Sequence, residues 1–253
     1  MKNRWLFTLA SSLAVGLTAT PAIADISARY EFEHNEMSIN MAMTIEIDSA
    51  GNERIQMANQ AGYMLILNDV PYMIIRGPAG VYVMRMDDMV TVIGEAAKRN
   101  GLAKAFASIP PDTTEKPPTM ASMGPKVVNG RTGTAYGISE KGARPVLAIL
   151  VVSNDPKLAP LGAAFVKSFA QSSSLANKMI PGLGNMAEFF GPGGAILKTG
   201  TPLSILFMNL TDVSFTAIDK GRFALPSAPL SIEQIRQQYE SFPEPPTLPA
   251  PAD

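Results

Sequence analysis

The segment MSINMAMTIEID, residues 37–48, alternates apolar and polar side chains almost without a break. Successive side chains of a strand point to opposite faces, so this pattern predicts a β-strand with one buried face. Strands favour isoleucine and valine, yet half of the apolar face is flexible, unbranched methionine. The face is therefore ordinary core, a wall that adapts to a variable apolar ligand, or a set of soft metal ligands. Its members are Met37, Ile39, Met41, Met43, Ile45 and Ile47.

Short apolar segments continue this pattern from residue 28 to residue 93. They are separated by turn sequences such as Ala50-Gly51-Asn52 and Asn68-Asp69, which predicts an antiparallel meander of strands. Asp87-Asp88 is expected to form a polar two-residue hairpin. The segments GYMLILN and PYMIIR are apolar almost throughout, which indicates strands that are covered on both faces.

The middle of the chain changes character. Alanines and charges without alternation predict a helix near 94–109, and a second helical region near 156–190 places Leu161, Phe165 and Phe169 four residues apart on one face. Strands are expected again on both sides of Asn129-Gly130 and in a closing β segment, which a short terminal helix follows.

These elements predict the α+β class, with strands at both ends of the chain and helices between them. We expect a single domain over residues 25–242, built on a large antiparallel sheet. The proline-rich residues 243–253, PEPPTLPAPAD, are expected to be a disordered tail.

The start of the chain has the pattern of a secretory signal peptide. Lys2 and Arg4 precede a short apolar run, and Ala22-Ile23-Ala24 provides a cleavage site of small residues. We expect residues 1–24 to be removed and the mature protein, beginning at Asp25, to be periplasmic or secreted. The chain contains no cysteine, which excludes disulfides and lipidation at an N-terminal cysteine.

Charge and composition argue against nucleic-acid binding, and hydropathy argues against a membrane span. Loss of Lys2 and Arg4 changes the formal net charge from −1 to about −3, which gives no electrostatic attraction to nucleic acid. The only tryptophan, Trp5, leaves with the signal peptide, so the mature chain is poor in aromatic rings for base stacking. No later stretch is long and apolar enough to predict an integral membrane span.

Several motifs that could carry chemistry lack the context they need. The single histidine, His34, has no G-x-S-x-G elbow to accompany it, and Gly182–Ala187 matches G-x-G-x-x-A without a surrounding βαβ unit. Asp87-Asp88 lacks the further carboxylates that a calcium site requires. The chain is therefore predicted to have no catalytic residue, metal site or cofactor, and not to be an enzyme.

Two closing segments resemble the periplasmic lipoprotein-carrier (LolA-like) superfamily. They are Gly200-Thr201-Pro202-Leu203, a G-x-P-L sequence, and residues 219–226, a D-x-G-x-F-x-L-P sequence. The stretch from VVNGRTGTAYG to NDPKLAPLGAAF resembles a bacterial branch of the same superfamily, whereas the long helical insertions and the proline-rich tail depart from the carriers. The resemblance implies a curved half-barrel sheet closed by helices over an apolar cavity, with acyl chains as ligands.

Fourteen of the fifteen methionines remain after processing, and several have Met-x-Met spacing. Thioethers select Cu(I), but methionine also fills cores and lines adaptable apolar surfaces. With the resemblance, we predict a protein that binds or carries a hydrophobic acyl ligand. The alternatives are an interaction module of the cell envelope with a filled core and, third, a Cu(I)-binding protein or a hydrolase. The residues expected to line the cavity are Met41, Met43, Ile45, Leu65, Leu67, Met84 and Met86.

Overall fold

The computed structural model describes residues 25–32, 42–77, 80–99, 119–139, 145, 147–179, 193–206 and 208–240. The predicted signal peptide, the proline-rich tail, His34, Met41 and the glycine-rich segment at 182–187 lie outside the described residues.

Eleven strands of the described residues form one open antiparallel sheet. In chain order they are β1 (Ile26–Phe32), β2 (Ala42–Ile47), β3 (Glu53–Met57), β4 (Gly62–Leu67), β5 (Val70–Gly77), β6 (Gly80–Arg85), β7 (Thr119–Val128), β8 (Arg131–Ser139), β9 (Ala148–Ser153), β10 (Thr201–Ile205) and β11 (Met208–Ser214). Their order across the sheet is β6-β5-β4-β3-β2-β1-β11-β10-β9-β8-β7. Two meanders therefore meet where β1 pairs with β11, and the predicted α+β class with a large antiparallel sheet is confirmed.

Within the described ranges, three helices pack on this sheet: α1 (Met86–Arg99), α2 (Ala159–Met179) and α3 (Ile232–Glu240). Helix α2 contacts α1 as well as β1, β2 and β10, and α1 also packs on β5 and β6 and against α3. A further helical turn covers residues 193–197. None of the described helices combines the length and the apolar character needed to cross a bilayer.

One apolar row runs across the helix-covered face of seven adjacent strands. Its members lie directly opposite one another in the register: Val213, Ala28, Ile45, Ile55, Met64, Met73 and Met84. Met43 and Ile47 share this face with Ile45, which confirms the alternation predicted for β2. The apolar face of β2 that the alternation predicts thus lies beneath the helices.

The G-x-P-L segment anchors β10 under α2. The Thr201 hydroxyl donates to the Leu158 carbonyl oxygen at 2.7 Å, and the Pro202 carbonyl accepts a hydrogen bond from the Tyr30 hydroxyl at 2.7 Å. Gly200 lies so close to the preceding strand that a Cβ there would come within 2.4 Å of the Ser153 carbonyl oxygen. These residue types are therefore explained by packing.

The D-x-G-x-F-x-L-P segment closes the opposite face of the sheet. Asp219 caps a 3₁₀ turn by accepting the Gly221 N–H at 3.0 Å, and Phe223 is buried among apolar side chains of β4 to β6. Arg222 binds the buried carboxylate of Glu46 at 2.9 Å, which ties this segment to β2. The chain then passes the outer edge of β6, where the Leu230 N–H donates to the Val83 carbonyl, before α3 packs beside α1.

The predictions that strands continue to residue 93 and that Asp87-Asp88 forms a hairpin were wrong, because residues 86–93 lie in α1. Valine, threonine and isoleucine favour strands, but Val90 and Val92 are buried on a helix whose contacts with the sheet override that preference. Asp87 and Asp88 occupy the first turn, where carboxylates interact favourably with the helix dipole.

The predicted helix near 156–190 is confirmed for residues 159–179, which form one continuous helix through the SLANKM segment. It follows a 3₁₀ turn at Pro156–Leu158, which the Asp155 carboxylate caps by accepting the Lys157 N–H at 3.0 Å. Strands on both sides of Asn129-Gly130 and a helix at the end of the described chain are also confirmed.

Candidate ligand-binding pocket

An apolar pocket of about 430 Å³ lies between α2 and the helix-covered face of the sheet. Fourteen of the sixteen described residues that line it have no nitrogen or oxygen in their side chains. The lining residues are Tyr30, Met43, Ile45, Ile55, Met64, Met120, Ile149, Leu150, Ala164, Phe165, Ser168, Gly193, Leu197, Ile205, Leu206 and Met208. The lining therefore favours an apolar occupant.

Four methionines from four different strands contribute to the pocket walls. They are Met43 of β2, Met64 of β4, Met120 of β7 and Met208 of β11. Three rotatable bonds let methionine fill irregular spaces and repack around different apolar shapes. The pocket walls can thus adapt more readily than walls of isoleucine and valine.

Helix α2 covers the pocket with Ala164, Phe165 and Ser168. Ser168 lies about one helix turn after the other two residues, so all three are on the same side of the helix. The Phe165 ring meets the Tyr30 ring edge-on, with centroids 5.3 Å apart and an interplanar angle of 75°. Such edge-to-face pairs are favourable and hold both rings in one orientation. The pair fixes the helix against β1 at the side of the pocket.

Of the residues predicted to line a cavity, Met43 and Ile45 are brought together at this pocket. Met41 lies outside the described residues. Met84 lies in a separate cluster with Val92 and Ile235, beneath α1 and α3.

The placement of Leu65, Leu67 and Met86 differs from the prediction. Leu65 pairs with Arg54 and lies on the face opposite the pocket, in a cluster with Leu67 and Phe223. Because GYMLIL is apolar on both faces, its sequence does not indicate which alternate residues face the helices. Met86 is the first residue of α1 and does not continue the strand face of Met84.

Sequence reasoning missed Met64, Ile55 and Phe165 as lining residues. Met64 and Ile55 follow from the register once β2 is placed, because Ile45 pairs with Ile55 and Ile55 with Met64. The four-residue spacing of the α2 phenylalanines was visible in the sequence, but nothing there indicated which strand the helix would contact.

Tyr30 and Ser168 supply the two hydroxyl groups among the described lining residues. The Tyr30 hydroxyl donates to the Pro202 carbonyl oxygen at 2.7 Å, and burial raises the pKa of this phenol well above its ordinary value, so Tyr30 stays neutral. The Ser168 hydroxyl donates to Oε2 of Glu53 at 3.0 Å.

Glu53 anchors a small charged cluster beside Ser168. Glu53 is 2 % exposed, and its carboxylate lies 3.3 Å from the Lys167 ammonium, which also contacts Asp69 at 2.8 Å. Burial raises the pKa of Glu53, while the Lys167 charge and the Ser168 hydrogen bond act in the opposite direction. The contacts are those of a buried carboxylate stabilised by one ammonium and one hydroxyl.

An exposed leucine borders the pocket at the turn between β10 and β11. Leu206 is 44 % exposed and has a φ of +54°, and its N–H donates to the Ile149 carbonyl. A positive φ is uncommon for a leucine and is kept only where neighbouring contacts enforce it. Here the backbone conformation places an apolar side chain at the boundary between the pocket and solvent.

A second pocket, of about 590 Å³, lies along the N-terminal half of α2. Its lining mixes polar and small residues, including Ser153, Asn154, Asp155 and Lys198, and it shares Leu197 with the apolar pocket. Among the described residues, no group of three or more histidine, cysteine, aspartate or glutamate side chains is placed to hold a metal ion. Of the two pockets, the apolar one has the more uniform lining and therefore favours a single chemical class of ligand.

Comparisons with protein-family models, with curated proteins and with solved structures find no match to this chain. The resemblance to the lipoprotein carriers thus rests on the quoted segments, whose Pro202, Leu203 and Phe223 have packing roles in this fold.

Proposed function

We propose that this protein is a periplasmic, non-enzymatic carrier that binds the acyl part of a hydrophobic ligand between α2 and the sheet. The observation that carries the proposal is the pocket of about 430 Å³ with its apolar, methionine-containing walls. Its size falls within the range of roughly 300–1,000 Å³ that is usual for small-molecule sites. An acyl chain supplies the apolar surface that these walls can cover.

Packing favours an occupied pocket over an empty one. Protein interiors contain few voids larger than a water molecule, because unfilled apolar space forfeits dispersion contacts. Water gains little from walls with so few polar partners. In the proposed state the curved sheet acts as a half-barrel, α2 closes it, and the ligand fills the remaining space.

The hydroxyl groups beside the pocket support binding and not catalysis. Tyr30 is neutral and donates a hydrogen bond to a backbone carbonyl. Ser168 donates a hydrogen bond to the Glu53 carboxylate, which is itself paired with Lys167. In the described part of the chain, Ser168 therefore lacks the histidine or free lysine that usually activates a serine nucleophile.

Two other functions have observations in their favour. Strand β7 ends the sheet and carries the exposed Val127 and Met123, which suits an interaction module that pairs through its edge. The four pocket methionines are soft donors that suit Cu(I). The pocket's apolar walls favour the carrier over both, since an edge-pairing module needs no pocket and a copper site needs fewer apolar neighbours.

Native mass spectrometry of the protein isolated from the periplasm of its own cells distinguishes these functions. The carrier should retain a lipid or acyl compound, and its protein mass should correspond to a chain beginning at Asp25. A ligand-free mass would favour the interaction module, and a mass increased by copper would favour the metal site. A mass that includes residues 1–24 would contradict export with cleavage.

A tryptophan substitution tests the pocket directly. A chain that begins at Asp25 has no tryptophan, so Met43→Trp introduces a single tryptophan into the pocket wall. We expect a folded protein with blue-shifted emission that no longer binds the neutral apolar dye N-phenyl-1-naphthylamine. The matched control is Val127→Trp on β7, at a position that is 63 % exposed, which should bind the dye like wild type. Undiminished dye binding by Met43→Trp would contradict a ligand site at this pocket.

A further inference from the structure

The protons of both hydroxyl groups among the described lining residues are already used. Tyr30 donates to the Pro202 carbonyl at 2.7 Å, and Ser168 donates to Glu53 at 3.0 Å. A hydroxyl has one proton to donate and two lone pairs that accept, so each of these groups can only accept from a ligand. No other side chain among the described lining residues carries an N–H or O–H group.

The charges behind Ser168 also oppose an anion. The Lys167 ammonium is shared between Glu53 at 3.3 Å and Asp69 at 2.8 Å, so two carboxylates face one ammonium. Glu53 is almost completely buried, and charge interactions are stronger in such surroundings than in water. A ligand anion near Ser168 would leave water to meet lone pairs and the buried Glu53 carboxylate, whose ammonium partner also pairs with the exposed Asp69.

We propose that the pocket selects uncharged hydrogen-bond-donating acyl compounds over anionic ones, and that Ser168, oriented by Glu53, determines this selectivity. The inference rests on the proposed function and names the class of its ligand. A fatty alcohol or a monoacylglycerol donates its O–H to Ser168 Oγ. A fatty-acid carboxylate has no proton to donate and loses its hydration without a compensating hydrogen bond.

Competition among ligands with one alkyl length tests this selectivity. Dodecanol, 1-monododecanoylglycerol and dodecanoate are each titrated against protein loaded with N-phenyl-1-naphthylamine, at a pH where dodecanoate is ionised. We expect dodecanoate to bind at least about tenfold more weakly than the two uncharged compounds, the factor of an unsatisfied buried polar group. Equal or tighter binding of dodecanoate would overturn the inference while leaving the proposed function intact. Failure of the dye and of all three ligands to bind would overturn the proposed function and, with it, the inference.

Two substitutions test whether Ser168 and Glu53 determine the selectivity. Ser168→Ala removes the acceptor, so dodecanol should bind several-fold more weakly while dodecanoate is unaffected. Glu53→Gln removes the charge and supplies an amide N–H that can donate to Ser168 Oγ, which lets the serine proton turn to a ligand, so dodecanoate should bind several-fold more tightly. Glu31→Gln, which neutralises an exposed carboxylate on the opposite face of β1, is the control and should change neither affinity.

The two substitutions also guard against a folding artefact. If Glu53→Gln does not fold, the dodecanol affinity of Ser168→Ala still tests the role of Ser168. We expect Ser168→Ala to fold, since alanine removes one oxygen from a half-buried position. Unchanged dodecanol binding by a folded Ser168→Ala variant would overturn the role of Ser168.

Discussion

Met64 and Met84 belong to the same cross-strand row, separated only by Met73, but they have different surroundings. Met64 lines the apolar pocket beneath α2. Met84 is 7 % exposed and packs in a closed cluster with Val92 of α1 and Ile235 of α3. The same residue type, on the same face and in the same register, therefore lines an open space at one place and fills a core at the other.

The difference comes from the helices that cover the row. Over Met84, α1 and α3 lie side by side, and Arg236 of α3 binds Glu95 of α1 through two hydrogen bonds of 3.0 Å. Over Met64, α2 crosses the sheet, and its Phe165 ring packs edge-on against the Tyr30 ring. Two amphipathic helices supply enough apolar side chains to fill the space above the sheet at Met84, whereas the cover over Met64 leaves a pocket. Methionine content alone does not indicate a cavity.

The largest expected effect comes from shortening these two methionines. Met84→Ala should lower the free energy of unfolding by about 2–5 kcal/mol, because the truncation leaves a cavity in a filled cluster. Met64→Ala should cost less than about 2 kcal/mol, because the wall it belongs to already borders open space. Urea denaturation followed by far-UV circular dichroism measures both, provided the transition is two-state. Equal, full-sized losses at both positions would mean that the pocket is filled core in solution.

Enlarging the same residues should give a smaller and complementary difference. Met84→Trp should destabilise the fold by about 1–3 kcal/mol through overpacking, whereas Met64→Trp should cost less because the pocket can accept the ring. The measurements are the emission maximum of the introduced tryptophan, in variants that begin at Asp25, and the denaturation midpoint of each variant. A Met64→Trp variant that is as unstable as Met84→Trp would remove the distinction between the two regions.

Much of the fold could be predicted from the sequence because alternation and turn residues are local signals. The strand at β2 and the turn at Asn129-Gly130 are examples. The start of α1 was not predictable in this way. Its β-branched run Val90–Ile93 favours a strand locally, and the contacts with β5, β6 and α3 that favour a helix are distant in sequence.

The candidate site could be predicted only in part for a related reason. Met43 and Ile45 follow from a clean alternation, but Leu65 and Leu67 come from a segment that is apolar on both faces. The register with β3 decides that Met64 faces the helices and Leu65 faces Phe223. The pairing of Ser168 with Glu53, 115 positions apart, has no local signal at all.

The smallest effect expected is a difference in how the two regions respond to pH. Burial raises the pKa of Glu53 above its ordinary value of 4.5, whereas the hydrogen bond from Arg236 lowers the pKa of Glu95 below the same value. A raised folded-state pKa contributes stability that is present below the ordinary value and is lost as the pH rises through the folded value. A lowered pKa contributes stability that is present above the ordinary value and is lost as the pH falls through the folded value. Between pH 4.5 and neutrality, wild type should therefore lose stability relative to Glu53→Gln as the pH rises.

The stability of wild type relative to Glu95→Gln should instead decrease as the pH falls below 4.5. Urea midpoints of the three proteins, measured from about pH 3 to about pH 7, give both trends, with Glu31→Gln as the exposed-carboxylate control. Parallel pH profiles for Glu53→Gln and Glu95→Gln would show that the carboxylate beside the pocket is no more buried than the one between α1 and α3. In that case the negative charge assigned to the rear of Ser168 would be screened by water, and the selectivity against anions would lose its electrostatic basis.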